Sequence, residues 1–260
     1  MDVKTYSWHN KQTMFEYFFT YGTELPDGVG FPMFGTAHLI WLLIGTAAVI
    51  LLSILYYKRG KAKRRRMDLI VGCFLLFLLV IREVYLYLIG FLTAYELPIH
   101  LCSLAGILCF IHSLKNFDGL GQILFSLCLP GTIVALIFPD WLYYPPIHFI
   151  TVHGFVFHFG VALYVVCQLI SRRICPDIRR IWKVFVFLAI AVIPIYFFNR
   201  HYGTNYFFIN APAPGSPLEW MESVLGNPGY LFGYGVLAVV IPSLLTLLYM
   251  AFDRLAGNRR

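Results

Sequence analysis

The chain is written in seven long apolar runs, at about 37–57, 68–92, 97–114, 119–138, 146–171, 181–199 and 229–251, separated by short polar stretches. Most approach the ~20 residues that a helix needs to cross a ~30 Å hydrocarbon core; the third run is the shortest. Backbone polar groups find no water in lipid, so each run is expected to be helical. The pattern predicts an all-α fold, a polytopic membrane bundle of seven transmembrane helices forming one domain over 37–253. A polar, aromatic tail over 1–36, broken by Pro26, Gly28, Gly30 and Pro32, precedes it, and a short tail over 254–260 follows.

The polar stretches are unequal. Lys58, Arg59, Lys61, Lys63, Arg64, Arg65 and Arg66 follow the first run, Lys115 the third, and Arg172, Arg173, Arg179, Arg180 and Lys183 the fifth, while Arg254, Arg259 and Arg260 close the chain. With seven crossings, these sixteen of the 20 Lys and Arg residues share one face, against Lys4, Lys11 and Arg200 on the other, with Arg82 inside a span. Basic residues concentrate on the cytoplasmic side. The expected orientation is therefore an extracytoplasmic N-terminus and a cytoplasmic C-terminus, in a multi-pass protein of the plasma (cytoplasmic) membrane. Near the span ends the same residues can hold anionic lipid headgroups, at about 1 kcal/mol each.

One outer connection is long, at about 200–228. Within it Ser216–Pro217–Leu218–Glu219 reads as a helix start, with Ser at the N-cap, Pro at N1 and Glu at N3. Gly226 is a natural stop, so a short helix over about 217–225 is expected to lie along the outer interface.

Composition agrees with the runs. The chain is 59% hydrophobic and only 13% charged, against roughly 25% charged residues in a soluble domain. The net charge of +7 does not signal nucleic acid, because the basic residues sit between apolar runs and form no aromatic-interleaved face. None of the six cysteines falls in an outer connection, so all are expected to be reduced thiols. No cleavable signal peptide is visible in the polar N-terminal stretch.

Polar residues within the runs carry the candidate chemistry, because in lipid they need a partner or a cavity. From the outer face, at ~1.5 Å per residue, His38 should lie about 3 Å deep, Cys102 about 7 Å, His153 about 12 Å and His158 about 20 Å. Arg82 and Glu83, about 20 Å up from the inner face, reach the same outer half. Cys102 ends the stretch Tyr95–Glu96–Leu97–Pro98–Ile99–His100–Leu101–Cys102, near a helix start whose dipole favours a thiolate. A free cysteine is otherwise an apolar filler, the reading kept for Cys73, Cys109, Cys128 and Cys167. His100, two residues from Cys102, would point to the opposite helix face. A base for the thiol must come from another span, His153 or His158. Arg82 reads either as glue between helices with Glu83 or as a site for a lipid phosphate. Glu96, Asn199, Asn205 and Tyr206 could line the same mouth.

Other classes fit less well. A retinal protein needs a lysine inside a late span, and the last three runs have none internally, Lys183 lying at the cytoplasmic edge of the sixth. No H-x-x-x-H or C-x-x-C pair marks a metal or haem site, so neither metal nor cofactor is expected. The two related halves of a secondary transporter do not show.

Phe34–Gly35–Thr36–Ala37–His38, Leu97–Pro98–Ile99–His100–Leu101–Cys102, His153–Gly154 and Gly203–Thr204–Asn205–Tyr206, in this order across nearly the whole chain, resemble the bacterial YwaF-type integral membrane proteins. Those are similar to an animal family of multi-span proteins that includes a cysteine-dependent lipid acyltransferase. More distantly they resemble the androgen-induced-gene type hydrolases of fatty-acid esters, which use a threonine and a histidine. The resemblance implies a nucleophile at Cys102 and a base at His153, or at His158 in a shifted alignment. It departs at one place: His100 precedes the cysteine and Ser103 follows it, where the animal enzyme is expected to have a histidine. The expected function is a membrane-embedded acyltransferase or ester hydrolase acting on phospholipid from an outer-leaflet cavity. The rival expectation is a non-enzymatic lipid or small-molecule binding or transport protein.

Overall fold

A computed structural model describes residues 16–115 and 117–257. The described residues form helices and turns, with no strand. The helices that matter are α1 (Thr36–Tyr57), α2 (Lys61–Leu88), α3 (Leu101–Leu114), α4 (Asp118–Ile137), α5 (Phe149–Ile170), α6 (Trp182–Tyr202), α7 (Pro217–Leu225) and α8 (Tyr230–Leu255). Six of them, α1, α2, α4, α5, α6 and α8, are long and apolar enough to cross a membrane. Their outer faces are large apolar side chains, such as Leu43, Phe77, Ile190 and Phe232. This is a surface that only lipid would cover. The chain is a multi-pass membrane protein.

The third apolar run departs from expectation. Helix begins only at Leu101, with His100 as N-cap, and lasts 14 residues, which is about 21 Å at ~1.5 Å per residue. Pro98 is the local reason, since it pushes the residue before it out of helical geometry. Residues 89–100 instead run as irregular chain. Irregular backbone at membrane depth survives where protein covers it or it lines a cavity, and Tyr95, Glu96, Leu97 and His100 all do the latter.

The connections after α1, α3 and α5, together with the end of α8, meet at one end of the bundle, the basic end. There Arg65 donates to the last carbonyls of α3 at Ser113 and Leu114. Arg173 pairs with Asp68 of α2, and Arg172 with Asp253 of α8. Lys4, Lys11, Arg259 and Arg260, which entered the charge asymmetry, lie outside the described residues.

At the far end, residues 16–35 are a strap and not a loose tail. Phe18 O accepts from Phe149 N, Phe19 O from Tyr85 Oη and Thr20 O from His148 Nε2, at 3.0, 3.1 and 2.9 Å, so the strap ties α2 to the start of α5. Helix α7 forms over the expected residues, but its capping differs. Ser216 Oγ donates to Ala213 O, and Glu219 accepts from Gly215 N, both at 2.6 Å. The turn before the helix takes the bonds that a capping box would have used.

Two irregularities shape the interior. In α4 the segment Leu124–Cys128 widens into a π-helical turn just ahead of Pro130. A proline inside a helix lacks the N–H owed to the carbonyl four residues back, and local rewinding is the common response. Helix α6 packs on the first turns of α4 and α8 on its π-turn, but α6 and α8 make no extended contact with each other. They form two separate walls of the space described next.

Candidate functional site

A cavity of about 1190 Å³ occupies the far half of the bundle. Drug-sized sites run to ~300–1,000 Å³, so this one has room for a larger, chain-bearing ligand. Apolar residues of α6 and α8, among them Val192, Phe197, Leu231 and Ile241, form one side. Residues of α3, α5 and the connections at 93–100 and 139–145 form the other, polar side.

Cys102 and His153, from α3 and α5, both line this space, as do His100 and His158. Because α3 starts at Leu101, Cys102 lies inside its first turn. The first helical N–H to find a carbonyl is that of Leu104, which bonds His100 O at 3.0 Å. The amides of residues 101–103 are donors without an intrahelical partner, as at any helix start. His153 donates Nε2–H to Leu78 O at 2.9 Å. A carbonyl can only accept, so the proton is on Nε2 and the neutral ring presents Nδ1 as a base. Phe149 and Phe157 hold the ring from either side, with centroids 6.1 and 5.7 Å away.

His158 uses the opposite tautomer, donating Nδ1–H to Gly154 O at 2.6 Å, and its Nε2 has no partner. Gly154 is where α5 meets Trp141: a Cβ there would lie 2.7 Å from Trp141 Cε2. The indole lies on the bare backbone and stacks on His158 at 5.1 Å. This contact explains why a glycine follows His153.

Arg82 lines the cavity, but its guanidinium is occupied. Nη1 donates to Glu83 Oε1 and to Glu96 O, both at 2.8 Å, and Nη2 to Glu96 Oε2. Tyr21 of the strap adds a 2.6 Å bond to Glu96 Oε1, and burial with Glu96 beside it raises the Tyr21 phenol well above its usual range. A lipid phosphate would have to displace one of two carboxylates from Arg82.

Other residues singled out by sequence turn out to be joints. His38 is fully buried and uses both nitrogens, accepting from Phe34 N at 3.0 Å and donating to Leu136 O at 2.9 Å. Asn199 accepts from Thr204 Oγ1 and Tyr206 N and donates to Tyr206 O. Asn205 closes the next turn through Asn210 and Ala211. Tyr206 donates to Ala94 O at 2.7 Å, and its ring supports His100 at 4.6 Å. The Gly203–Tyr206 motif thus shapes a loop that supports the cavity wall. None of the six cysteines forms a disulfide. Among the described residues, no group of three or more His, Cys, Asp and Glu is placed to hold a metal ion.

Sequence reading missed Asp140 and Trp141, both in the cavity wall. They lie just past an apolar run, in what looked like a short connection. The available signal was the pairing of a carboxylate with an indole where the chain re-enters lipid. Burial pushes the Asp140 carboxyl above the usual range, against its own amide and Arg82, which draw it down.

Fold and site together define a helical membrane protein with a large internal cavity, apolar on one side and furnished with a thiol and imidazoles on the other. The model of the TMEM164 family matches residues 33–247, and the chain belongs to that family. No curated protein and no solved structure matches it.

Proposed function

We propose that this protein is a lipid acyl-transfer enzyme of the plasma membrane, with Cys102 as nucleophile and His153 as its base. The carrying observation is that a thiol from α3 and an imidazole from α5, far apart in sequence, furnish the same lipid-sized cavity. The resemblance to a cysteine-dependent acyltransferase family points the same way. The N-terminus is outside and the C-terminus inside, with α3 and the irregular 89–100 segment together making the third of seven crossings. The basic end rests on anionic headgroups of the inner leaflet.

In the first half-reaction His153 Nδ1 takes the thiol proton, and the sulfur attacks an ester carbonyl of a phospholipid. The carbon–oxygen bond breaks, the leaving alcohol takes the proton from His153, and the acyl chain remains on Cys102 as a thioester. The free amides of residues 101–103 are the donors for the oxyanion. The acyl chain lies along α6 and α8, and the head group sits beside Arg82 and Glu96, with Glu83 behind them holding Arg82.

A long-chain fluorophosphonate or thiol-reactive lipid probe tests this. Wild-type protein should label in detergent, and Cys102→Ser should lose labelling by roughly 100-fold or more, with unchanged thermal unfolding. Equal labelling of the variant would remove the nucleophile.

A further inference from the structure

Two polar atoms in the cavity wall have no hydrogen-bond partner and no role in the first half-reaction: Trp141 Nε1 and His158 Nε2. The two residues are 8% and 7% exposed and both line the cavity. Orphaned polar atoms this deeply buried are rare and ask for an explanation.

The two are complementary. An indole N–H can only donate. His158, with Nδ1–H committed to Gly154 O, can only accept at Nε2. Their rings stack with centroids 5.1 Å apart, so the two rings form one small patch, and Gly154 builds it by seating the indole and orienting the imidazole. A single hydroxyl satisfies both, accepting from Trp141 while donating to His158. An anion would meet the imidazole lone pair unfavourably, and an ammonium would meet the indole N–H unfavourably.

We propose that Trp141 and His158 bind the hydroxyl of a lipid alcohol that accepts the acyl group, with His158 as the base of the second half-reaction. This rests on the Cys102 thioester of the proposed function. His158 Nε2 takes the hydroxyl proton, the oxygen bonds to the thioester carbonyl carbon, and the carbon–sulfur bond breaks. The proton passes from the imidazole to the departing sulfur, leaving an ester and the free thiol. The two histidines of α5 divide the work: His153 serves the thiol and His158 the acceptor.

Binding tests the site apart from the chemistry. In Cys102→Ala protein, dioleoylglycerol should bind at least ~10-fold more tightly than its O-methyl ether, since a site built for a hydroxyl rejects the analogue lacking it. Trp141→Phe and His158→Asn, each added to that background, should erase the preference. Equal affinity for the two lipids would overturn the proposal, since water would then be the only hydroxyl these nitrogens hold. A preference that survives both ring variants would also overturn it. In otherwise native protein, intact mass should show acyl-Cys102 forming at the wild-type rate in Trp141→Phe but discharging to dioleoylglycerol ~10–100-fold more slowly. Equal slowing of both steps would mean a merely structural indole and overturn the assignment. A hydroxyl preference without any acyl-Cys102 in the wild type would sustain this site and sink the cysteine reading instead.

Discussion

The bundle holds two sets of buried polar groups, one in each half, and they are built differently. At the basic end Asp68 is nearly inaccessible and fully engaged. Its Oδ1 accepts from Tyr56 Oη at 3.0 Å and Gln168 Nε2 at 2.7 Å, and its Oδ2 from Arg173 Nη1 at 2.5 Å. Three helix ends, those of α1, α2 and α5, are joined there, with a void of only about 90 Å³ beside them. In the far half, Trp141 Nε1 and His158 Nε2 lack partners in the wall of a space more than ten times larger. Both sets are costly in lipid. The first mainly holds helices together, with Gln168 Oε1 left over; the second leaves two nitrogens without partners in the wall of a large cavity.

The comparison can be broken from either side. The largest expected effect is Asp68→Ala, which leaves Arg173 and two other donors without their acceptor and should cost about 3–5 kcal/mol. Denaturant or thermal unfolding in detergent should show this, while probe labelling per folded molecule stays at the wild-type level. A matching loss of labelling would mean the two halves are not separate in function.

Gly154→Ala comes next, at about 1–3 kcal/mol for overpacking against Trp141. Unlike Asp68→Ala, it should lower the transfer rate in molecules that remain folded, because it moves the indole that stacks on His158. Unfolding and single-turnover transfer measured on the same preparation separate the two.

The smallest effect is a pH slope. Asp140 has a folded-state pKa above its unfolded value of about 3.9, so the folded protein binds that proton more tightly. Its contribution favours folding below the unfolded pKa and is lost as pH rises through the folded one. Stability of Asp140→Asn should therefore lack a decline with rising pH that the wild type carries over this window; parallel curves would remove Asp140 from the cavity's electrostatics.

Much of this architecture was legible in the apolar runs. All seven became helices within a few residues of their expected bounds, apart from the longer start of α2, and six of them are long enough to cross a membrane. The third starts late, after Pro98, and is too short to cross by itself, a local effect that composition averaged over a window conceals. Cys102, His153 and His158 were visible as polar groups at compatible depths. Depth alone did not distinguish them from His38, whose two nitrogens are both consumed, or from Asn199, which stitches a turn. Asp68 went unremarked because it follows a run of basic residues that looked like plain topology signals.

The division has a physical origin. In lipid a segment must satisfy its own backbone, so whether it is a helix and whether it belongs in a membrane are local properties, written in each run of residues. Whether a buried histidine is a joint or an open base depends on which carbonyl or ring from another helix reaches it. Leu78 reaching His153, and Gly154 presenting a bare backbone to Trp141, are contacts that exist only once the helices have packed.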